Sequence, residues 1–252
     1  MIKARRFAVL ALVLAAAVPE AWALGGRASG PDSGLGAHLV MVLSNERNRH
    51  GACTGTAIAR DIILTAAHCV AGNKRIAVAY PENGSHVLQR VAAKAIHPGF
   101  SPRSRVSIDI ALIRLEGQLP ARFLPMAIDR GAGGHAVGAR RVIAGFGLAV
   151  DGLEESAGTL RSARVSVLPR FYPRFMRLGY TPDAGLDDFA VCTGDSGGPV
   201  LEDRLVVGVV YGREAFGRAK SCGTTAQAVR VAPQAGWIDG VLGRWGRSAA
   251  AP

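Results

Sequence analysis

The sequence predicts an all-β fold, and three observations carry that expectation. Apolar runs of strand length recur along the chain: His38–Leu43, Thr56–Thr65, Arg75–Tyr80, Val87–Ile96, Ile108–Leu115, Arg140–Gly145, Leu160–Leu168 and Leu205–Tyr211. Most are rich in Val and Ile, which suit a pleated, half-buried surface. Turn-forming pairs such as Asn83-Gly84, Pro98-Gly99 and Asp151-Gly152 separate them, as short strands joined by tight connections require. Helical periodicity is confined to the end of the chain, where Trp237, Ile238, Val241, Leu242 and Trp245 recur at spacings of three and four within Pro233–Trp245. Many short strands and one terminal helix imply a barrel or a sandwich. Leu168–Leu178 mixes Phe171, Tyr172, Phe175 and Met176 with Arg170, Arg174 and Arg177; it reads as a surface loop or short helix with apolar anchors, with an exosite as the second reading.

The first residues read as an export signal. Lys3, Arg5 and Arg6 precede the apolar run Phe7–Val18, and Ala21-Trp22-Ala23 supplies the small-x-small pattern of a cleavage site. The run is shorter than the ~20 apolar residues that span a bilayer, so residues 1–23 are expected to be a cleaved signal peptide. The protein is then secreted or periplasmic, with no stable membrane insertion. Signal removal lowers the formal net charge of +11 by two. The arginines are scattered and no run of five like charges occurs; the basic balance reads as a solvated surface, and no nucleic-acid partner is expected.

Cys53, Cys69, Cys192 and Cys222 are the four cysteines. In an exported chain they favour disulfides, and four cysteines allow three connectivities. None of them has the close spacing of zinc ligands, and Gly72–Ser85 holds only Glu82 as a carboxylate, too few for a calcium loop. No metal and no organic cofactor is expected.

The sharpest chemical signal is Gly194-Asp195-Ser196-Gly197-Gly198-Pro199, a serine among glycines that permit unusual backbone angles and close approach of a substrate. Alone, this Gly-x-Ser-x-Gly also fits the nucleophile elbow of α/β-hydrolases, in which the acid and the histidine follow the serine. Here all six histidines, His38, His50, His68, His86, His97 and His135, precede Ser196. His68 stands in Leu64-Thr65-Ala66-Ala67-His68-Cys69 and Asp109 in Ser107-Ile108-Asp109-Ile110-Ala111-Leu112-Ile113-Arg114-Leu115. An acid amid Ile and Leu is costly to bury unless it is paired and hydrogen-bonded.

These three segments resemble the T/S-A-A-H-C, D-I-A-L-I-x-L and G-D-S-G-G-P signatures of the chymotrypsin and trypsin superfamily of serine endopeptidases. Cys53-Thr54-Gly55-Thr56-Ala57-Ile58 is similar to its C-G-G-S-L-I strand and Ala144-Gly145-Phe146-Gly147 to its S-G-W-G. Arg230-Val231 and the Trp237 helix resemble its last strand and helix, so the likeness covers nearly the whole chain after the signal.

The resemblance implies two packed six-stranded antiparallel β-barrels, chymotrypsin-like, with a C-terminal α-helix. The first barrel falls at about 24–134 and the second with the helix at about 135–247, the boundary lying near Ala132–Gly138. It implies a secreted serine endopeptidase in which Ser196 is the nucleophile, His68 the general base, Asp109 the orienting acid, and the backbone N–H groups of Gly194 and Ser196 the oxyanion hole. It pairs Cys53 with Cys69 and Cys192 with Cys222. Ala190 becomes the floor of the specificity pocket and Tyr211, Gly212 and Arg213 its walls, so cleavage after small or medium apolar residues is expected rather than after Arg or Lys. Asp195 becomes the structural partner of a new amino terminus in Ala23-Leu24-Gly25-Gly26, one residue short of the family's I-V-G-G. Partners are a polypeptide substrate and a protein inhibitor, and a monomer is expected. The alternatives are a catalytically silent family member that binds anionic partners, and an esterase or lipase, which the chain order disfavours.

Overall fold

The computed structural model describes residues 34–46, 49–104, 106–131, 135–169, 173–180, 190–214 and 221–251. The signal, the Leu24–Gly26 stretch and residues 132–134 of the linker lie outside them. Six strands of the first half are β1 (Leu39–Glu46), β2 (Arg49–Ala59), β3 (Ile62–Thr65), β4 (Arg75–Glu82), β5 (Ser85–Ile96) and β6 (Ala111–Leu115). They close into an antiparallel barrel in the order β1-β2-β3-β6-β5-β4, with β4 returning to pair with β1. Closure removes the unpaired edges that an open sheet of this size would expose. The run Thr56–Thr65, which reads as one strand, is two: Arg60-Asp61 forms a turn and the ladder is irregular between Ala57 and Ala59. A turn made of Arg and Asp carries no Gly or Pro punctuation in the sequence.

The second half contains β7 (Arg140–Gly145), β8 (Arg161–Leu168), β9 (Phe175–Gly179), β10 (Val191–Cys192), β11 (Pro199–Glu202), β12 (Leu205–Glu214), β13 (Cys222–Gly223) and β14 (Thr225–Arg230). Six of these close a second antiparallel barrel in the order β11-β12-β14-β9-β8-β7, while β10 and β13 form a separate two-stranded ladder. Strand β9 corrects the expectation of a surface loop or short helix over Leu168–Leu178. Phe175, Met176 and Leu178 are buried and β9 pairs with both β8 and β14. The interleaved arginines hid the strand: Arg177 sits at its half-buried face and forms an ion pair with Glu214 of β12 at 2.6 Å.

One apolar core fills the first barrel and continues through Leu201, Val206, Val209 and Val229 of the second; another, with Val165, Val167, Met176 and Val207, fills the second barrel. The terminal helix α2 (Ala235–Arg244) buries Ile238, Val241 and Leu242, the stripe its periodicity predicts. Trp237 meets His97 edge-on at 4.8 Å. Beyond the helix, Arg247 donates to buried Asp61 at 2.7 Å and Ala250 N–H donates to the Ile58 carbonyl at 2.9 Å. The end of the chain therefore returns from the second barrel to the first and ties the two. No helix among the described residues is long and apolar enough to cross a membrane.

Leu178 is fully buried, so Leu178→Ala should lower stability by about 2–5 kcal/mol, the range for large-to-small core changes. A surface-loop position would move it by no more than about 0.5 kcal/mol; denaturant unfolding distinguishes the two.

Candidate active site

His68 rides on α1 (Ala67–Val70), a single helical turn directly after β3. So short a helix leaves its carbonyls without intrahelical donors, and two lysines satisfy them: Lys74 Nζ donates to the His68 carbonyl at 2.7 Å, and Lys94 Nζ to the carbonyls of Val70 at 2.7 Å and Gly72 at 2.9 Å. Partial burial and, after it, the neighbouring Lys74 cation pull the Lys94 ammonium below the usual lysine range.

Asp109 is buried just ahead of β6 and meets His68 twice. Its Oδ1 accepts the His68 backbone N–H at 2.8 Å, and its Oδ2 lies 2.7 Å from His68 Nδ1. The carboxylate fixes both the loop and the ring, placing the proton on Nδ1 and leaving the Nε2 lone pair bare. That Nε2 lies 3.6 Å from Cys69 Sγ, which is 3.9 Å from the Ser196 carbonyl. The His68 ring and the Ser196 carbonyl therefore both approach the Cys69 sulfur. Among the described residues no hydrogen bond joins Ser196 Oγ to His68. Cys53, Cys69 and His68 are close enough to suggest a metal cluster, but the two sulfurs are joined in a disulfide and offer no thiolate.

Ser196 sits in a loop bent by two glycines at positive φ, Gly194 at 102° and Gly197 at 86°. Close approach adds to the requirement for glycine: a Cβ on Gly194 would lie 2.7 Å from the Gly147 Cα. The loop is anchored across the barrels by Thr54 of β2, whose N–H donates to the Ser196 carbonyl at 2.8 Å and whose hydroxyl donates to the Gly194 carbonyl at 2.9 Å. The N–H groups of Gly194 and Ser196 donate to no group among the described residues.

Beneath the loop the Asp195 carboxyl is buried. It accepts the N–H of Gly147 at 2.9 Å and of Cys192 at 2.8 Å. Burial lifts its pKa from an ordinary 3.8 to about 6, opposed by those two hydrogen bonds and by the Arg161 and Arg213 cations acting through space. No ion pair to it forms among the described residues. Its space is cleared by Gly145 and Gly147, since a Cβ on either would run into the carboxyl.

Of the residues expected to line the specificity pocket, Ala190 packs beside the disulfide Cys192–Cys222. The register of β12 is fixed by β14: Val210 faces Ala228, Gly212 faces Gln227 and Arg213 faces Ala226, with Tyr211 at the irregularity between. Tyr211 packs edge-on against Phe175 with ring centroids 5.9 Å apart, and the Arg213 cation reaches the field of Asp195. Both disulfides have the connectivity that the resemblance implies. Sequence reasoning overlooked the roles of Thr54, which lies in a quoted motif, of Asp151, quoted only as part of a turn, and of Lys74 and Lys94.

Two closed antiparallel barrels, with the paired His68 and Asp109 carried by one and Ser196 in a glycine-bent loop of the other, have the architecture of a chymotrypsin-like serine protease. The family model described as Trypsin matches residues 28–238, and the chain belongs to the trypsin family of serine proteases. Human granzyme M is 31% identical over 240 residues, covering 88% of this chain and 89% of the relative. Trypsin epsilon of Drosophila erecta is 29% identical over 218 residues, with 80% and 84% covered. Among solved structures, human heparin binding protein superposes with a TM-score of 0.70 at 23% identity, over 90% of this chain and 99% of that one. Mouse neuropsin gives 0.63 at 21%, over 80% and 93%.

A Cβ on Gly147 would stand 2.5 Å from the Asp195 carboxyl. Gly147→Ala should therefore destabilise the protein by about 1–3 kcal/mol, the usual cost of overpacking, read as a lowered Tm in thermal unfolding.

Proposed function

We propose that the protein is an active serine endopeptidase that hydrolyses polypeptides through an acyl-enzyme on Ser196. The observation that carries this reading is the double contact of Asp109 with His68, beside a serine loop whose Gly194 and Ser196 N–H groups have no acceptor among the described residues. His68 Nε2 takes the Ser196 proton as Oγ attacks the scissile carbonyl, then returns it to the leaving amine. Asp109 holds the tautomer and stabilises the imidazolium. The Gly194 and Ser196 N–H groups receive the oxyanion, each donor contributing roughly 3 kcal/mol to the transition state. The Nε2–Oγ hydrogen bond closes when substrate fills the cleft, as apo sites of this kind commonly require. Retention of all three groups disfavours the silent, anion-binding alternative.

On the acyl side, Ala190 forms an apolar floor and Arg213 brings a cation to the wall, so a substrate Arg or Lys would be desolvated beside like charge. Cleavage after non-basic, small to medium side chains is the expected preference. A peptide-library digest read by mass spectrometry should show such cuts, and Ser196→Ala should abolish them while leaving Tm unchanged. Activity within tenfold of wild type in that variant, or dominant cleavage after Arg or Lys, overturns the corresponding assignment.

We further propose export, signal removal near Ala23 and insertion of the new amino terminus beside Asp195. The sign of its pH effect makes this testable. With the carboxyl at about 6 rather than 3.8, the native state holds a proton between pH 4 and 6 that the unfolded chain has released. As pH rises from about 4 to 6 this costs the fold roughly 3 kcal/mol, with no further loss above 6. An ammonium pair brings the carboxyl down and removes that loss. In urea unfolding between pH 4 and 7.5, the stability of the processed chain relative to its amino-terminally acetylated form should increase with pH. A difference that does not change with pH overturns the insertion.

A further inference from the structure

Thr54 of β2 is fully buried, and all its polar groups are engaged across the barrel junction or behind it. Its N–H donates to the Ser196 carbonyl at 2.8 Å. Its hydroxyl donates to the Gly194 carbonyl at 2.9 Å and accepts the Phe146 N–H at 3.0 Å, while its own carbonyl accepts the Thr65 hydroxyl at 2.8 Å. The hydroxyl therefore uses its one proton and a lone pair together, and bridges two segments of the second barrel from the first. In the strand motif that Cys53–Ile58 resembles this position is glycine, so the bridge belongs to this chain.

The bridge bears on which way the peptide groups of the nucleophile loop point. The carbonyls of Gly194 and Ser196 both turn toward Thr54, one to its hydroxyl and one to its N–H. Of the successive N–H groups from Gly194 to Gly198, three are spent on nearby carbonyls: Asp195 on Cys192 at 3.1 Å, Gly197 on Val210 at 2.6 Å and Gly198 on Asp195 at 3.0 Å. Those of Gly194 and Ser196 are left, and backbone N–H groups in folded proteins are almost always paired, so these two are placed for an acceptor from outside. Gly147, the residue after Phe146, donates its own N–H to the Asp195 carboxyl at 2.9 Å. Neighbouring N–H groups at 146 and 147 therefore support the loop by two routes, a neutral one through the Thr54 hydroxyl and an ionisable one through Asp195.

We propose that Thr54 is a positioning residue for the oxyanion hole: its hydroxyl locks the Gly194 peptide to Phe146, so that the Gly194 and Ser196 N–H groups stay aimed at the developing oxyanion. This inference rests on the peptidase reading above. Without the bridge the loop would be easily turned, because a residue lacking Cβ moves readily between positive and negative φ. A reacting geometry displaced by an ångström can lose about 10²-fold in rate. The route through Thr54 carries no charge, so it holds whether Asp195 is ionised or neutral.

Near-isosteric replacement tests it. Thr54→Val keeps the shape and the backbone N–H but removes the bridge, whereas Thr54→Ser keeps the hydroxyl. Each form is titrated with a fluorophosphonate, so that rates are expressed per reactive Ser196, and is assayed well below its Tm. In Thr54→Val, kcat for a peptide amide should fall roughly 10- to 100-fold with KM nearly unchanged, the signature of an interaction made only in the transition state. Thr54→Ser should recover most of that loss. A peptidyl trifluoromethyl ketone reads the hole itself: Ser196 Oγ bonds to the ketone carbon, the hydroxyl proton passes to His68, and the carbonyl π pair becomes an alkoxide beside Gly194 and Ser196. Its affinity should weaken by the same factor as kcat/KM. Thr54→Ala, which removes the hydroxyl without pressing a methyl group on two polar partners, gives the same reading if Thr54→Val does not fold. A purely structural Thr54 would lower Tm and leave both kcat per titrated site and inhibitor affinity at wild-type values. That result, or a loss in Thr54→Ser as large as in Thr54→Val, overturns the positioning role with the peptidase reading intact. Wild-type protein that neither takes the label nor hydrolyses the amide overturns both.

Discussion

The nucleophile loop is organised around a buried negative charge. A carboxylate moved from water into a protein interior loses several kcal/mol of solvation unless the fold returns it as hydrogen bonds and ion pairs. At Asp195 the fold returns two N–H groups, from Gly147 and Cys192, and clears the space by placing glycine at 145 and 147. The Arg161 and Arg213 cations add only a distant field, and the carboxyl remains raised to about 6. Since Asp195 adjoins Ser196 in sequence, the conformation of the nucleophile is tied to whether that charge is compensated. The positive φ values at Gly194 and Gly197 are the backbone's share of the same constraint, because the chain must turn the aspartate inward and the serine outward within consecutive residues.

The second constraint is that the reacting groups come from different barrels. Neither barrel alone contains both His68 and Ser196, so the proposed chemistry would require the junction to be held to within fractions of an ångström. Three features meet that need by different means. Thr54 bonds the first barrel to the nucleophile loop through backbone and hydroxyl together. The apolar core runs continuously from the first barrel into the facing strands of the second. The terminal segment carries Arg247 and Ala250 back to the first barrel. The disulfides act more locally: Cys53–Cys69 backs the histidine and Cys192–Cys222 joins the two strands beside the nucleophile loop.

Much of this was legible in the sequence because the decisive residues lie in contiguous motifs. The serine loop, the histidine turn and the buried aspartate are each local signals, and apolar runs rich in Val and Ile mark most of the strands. What escaped reading depends on contacts between distant segments. Strand β9 is buried by its partners β8 and β14, whereas its own sequence alternates arginine with apolar residues in no clean period. The Arg60-Asp61 turn carries neither Gly nor Pro, and its aspartate is stabilised by Arg247, far along the chain. Lys74 and Lys94 look like ordinary surface cations until α1 is seen to be too short to satisfy its own carbonyls. Asp151 reads as the first half of an Asp-Gly turn, and only the fold brings it against Ser221 and Cys222.

Asp151 bonds the Ser221–Cys222 segment and Asp195 bonds Gly147 and Cys192, and the contrast in their burial separates their roles. Asp195 is enclosed, so its charge state has large energetic consequences and a small change of partner can switch the loop. Asp151 is exposed, where a carboxylate keeps most of its hydration and the net gain from each hydrogen bond is modest, about 1.5–3 kcal/mol at most for a charged acceptor. An exposed clasp therefore suits a constant structural task, holding residues 148–157 against the Cys222 segment whatever happens underneath. Because that same segment forms one wall of a cavity beside Gly194, the shape of that wall is set independently of the inner charge.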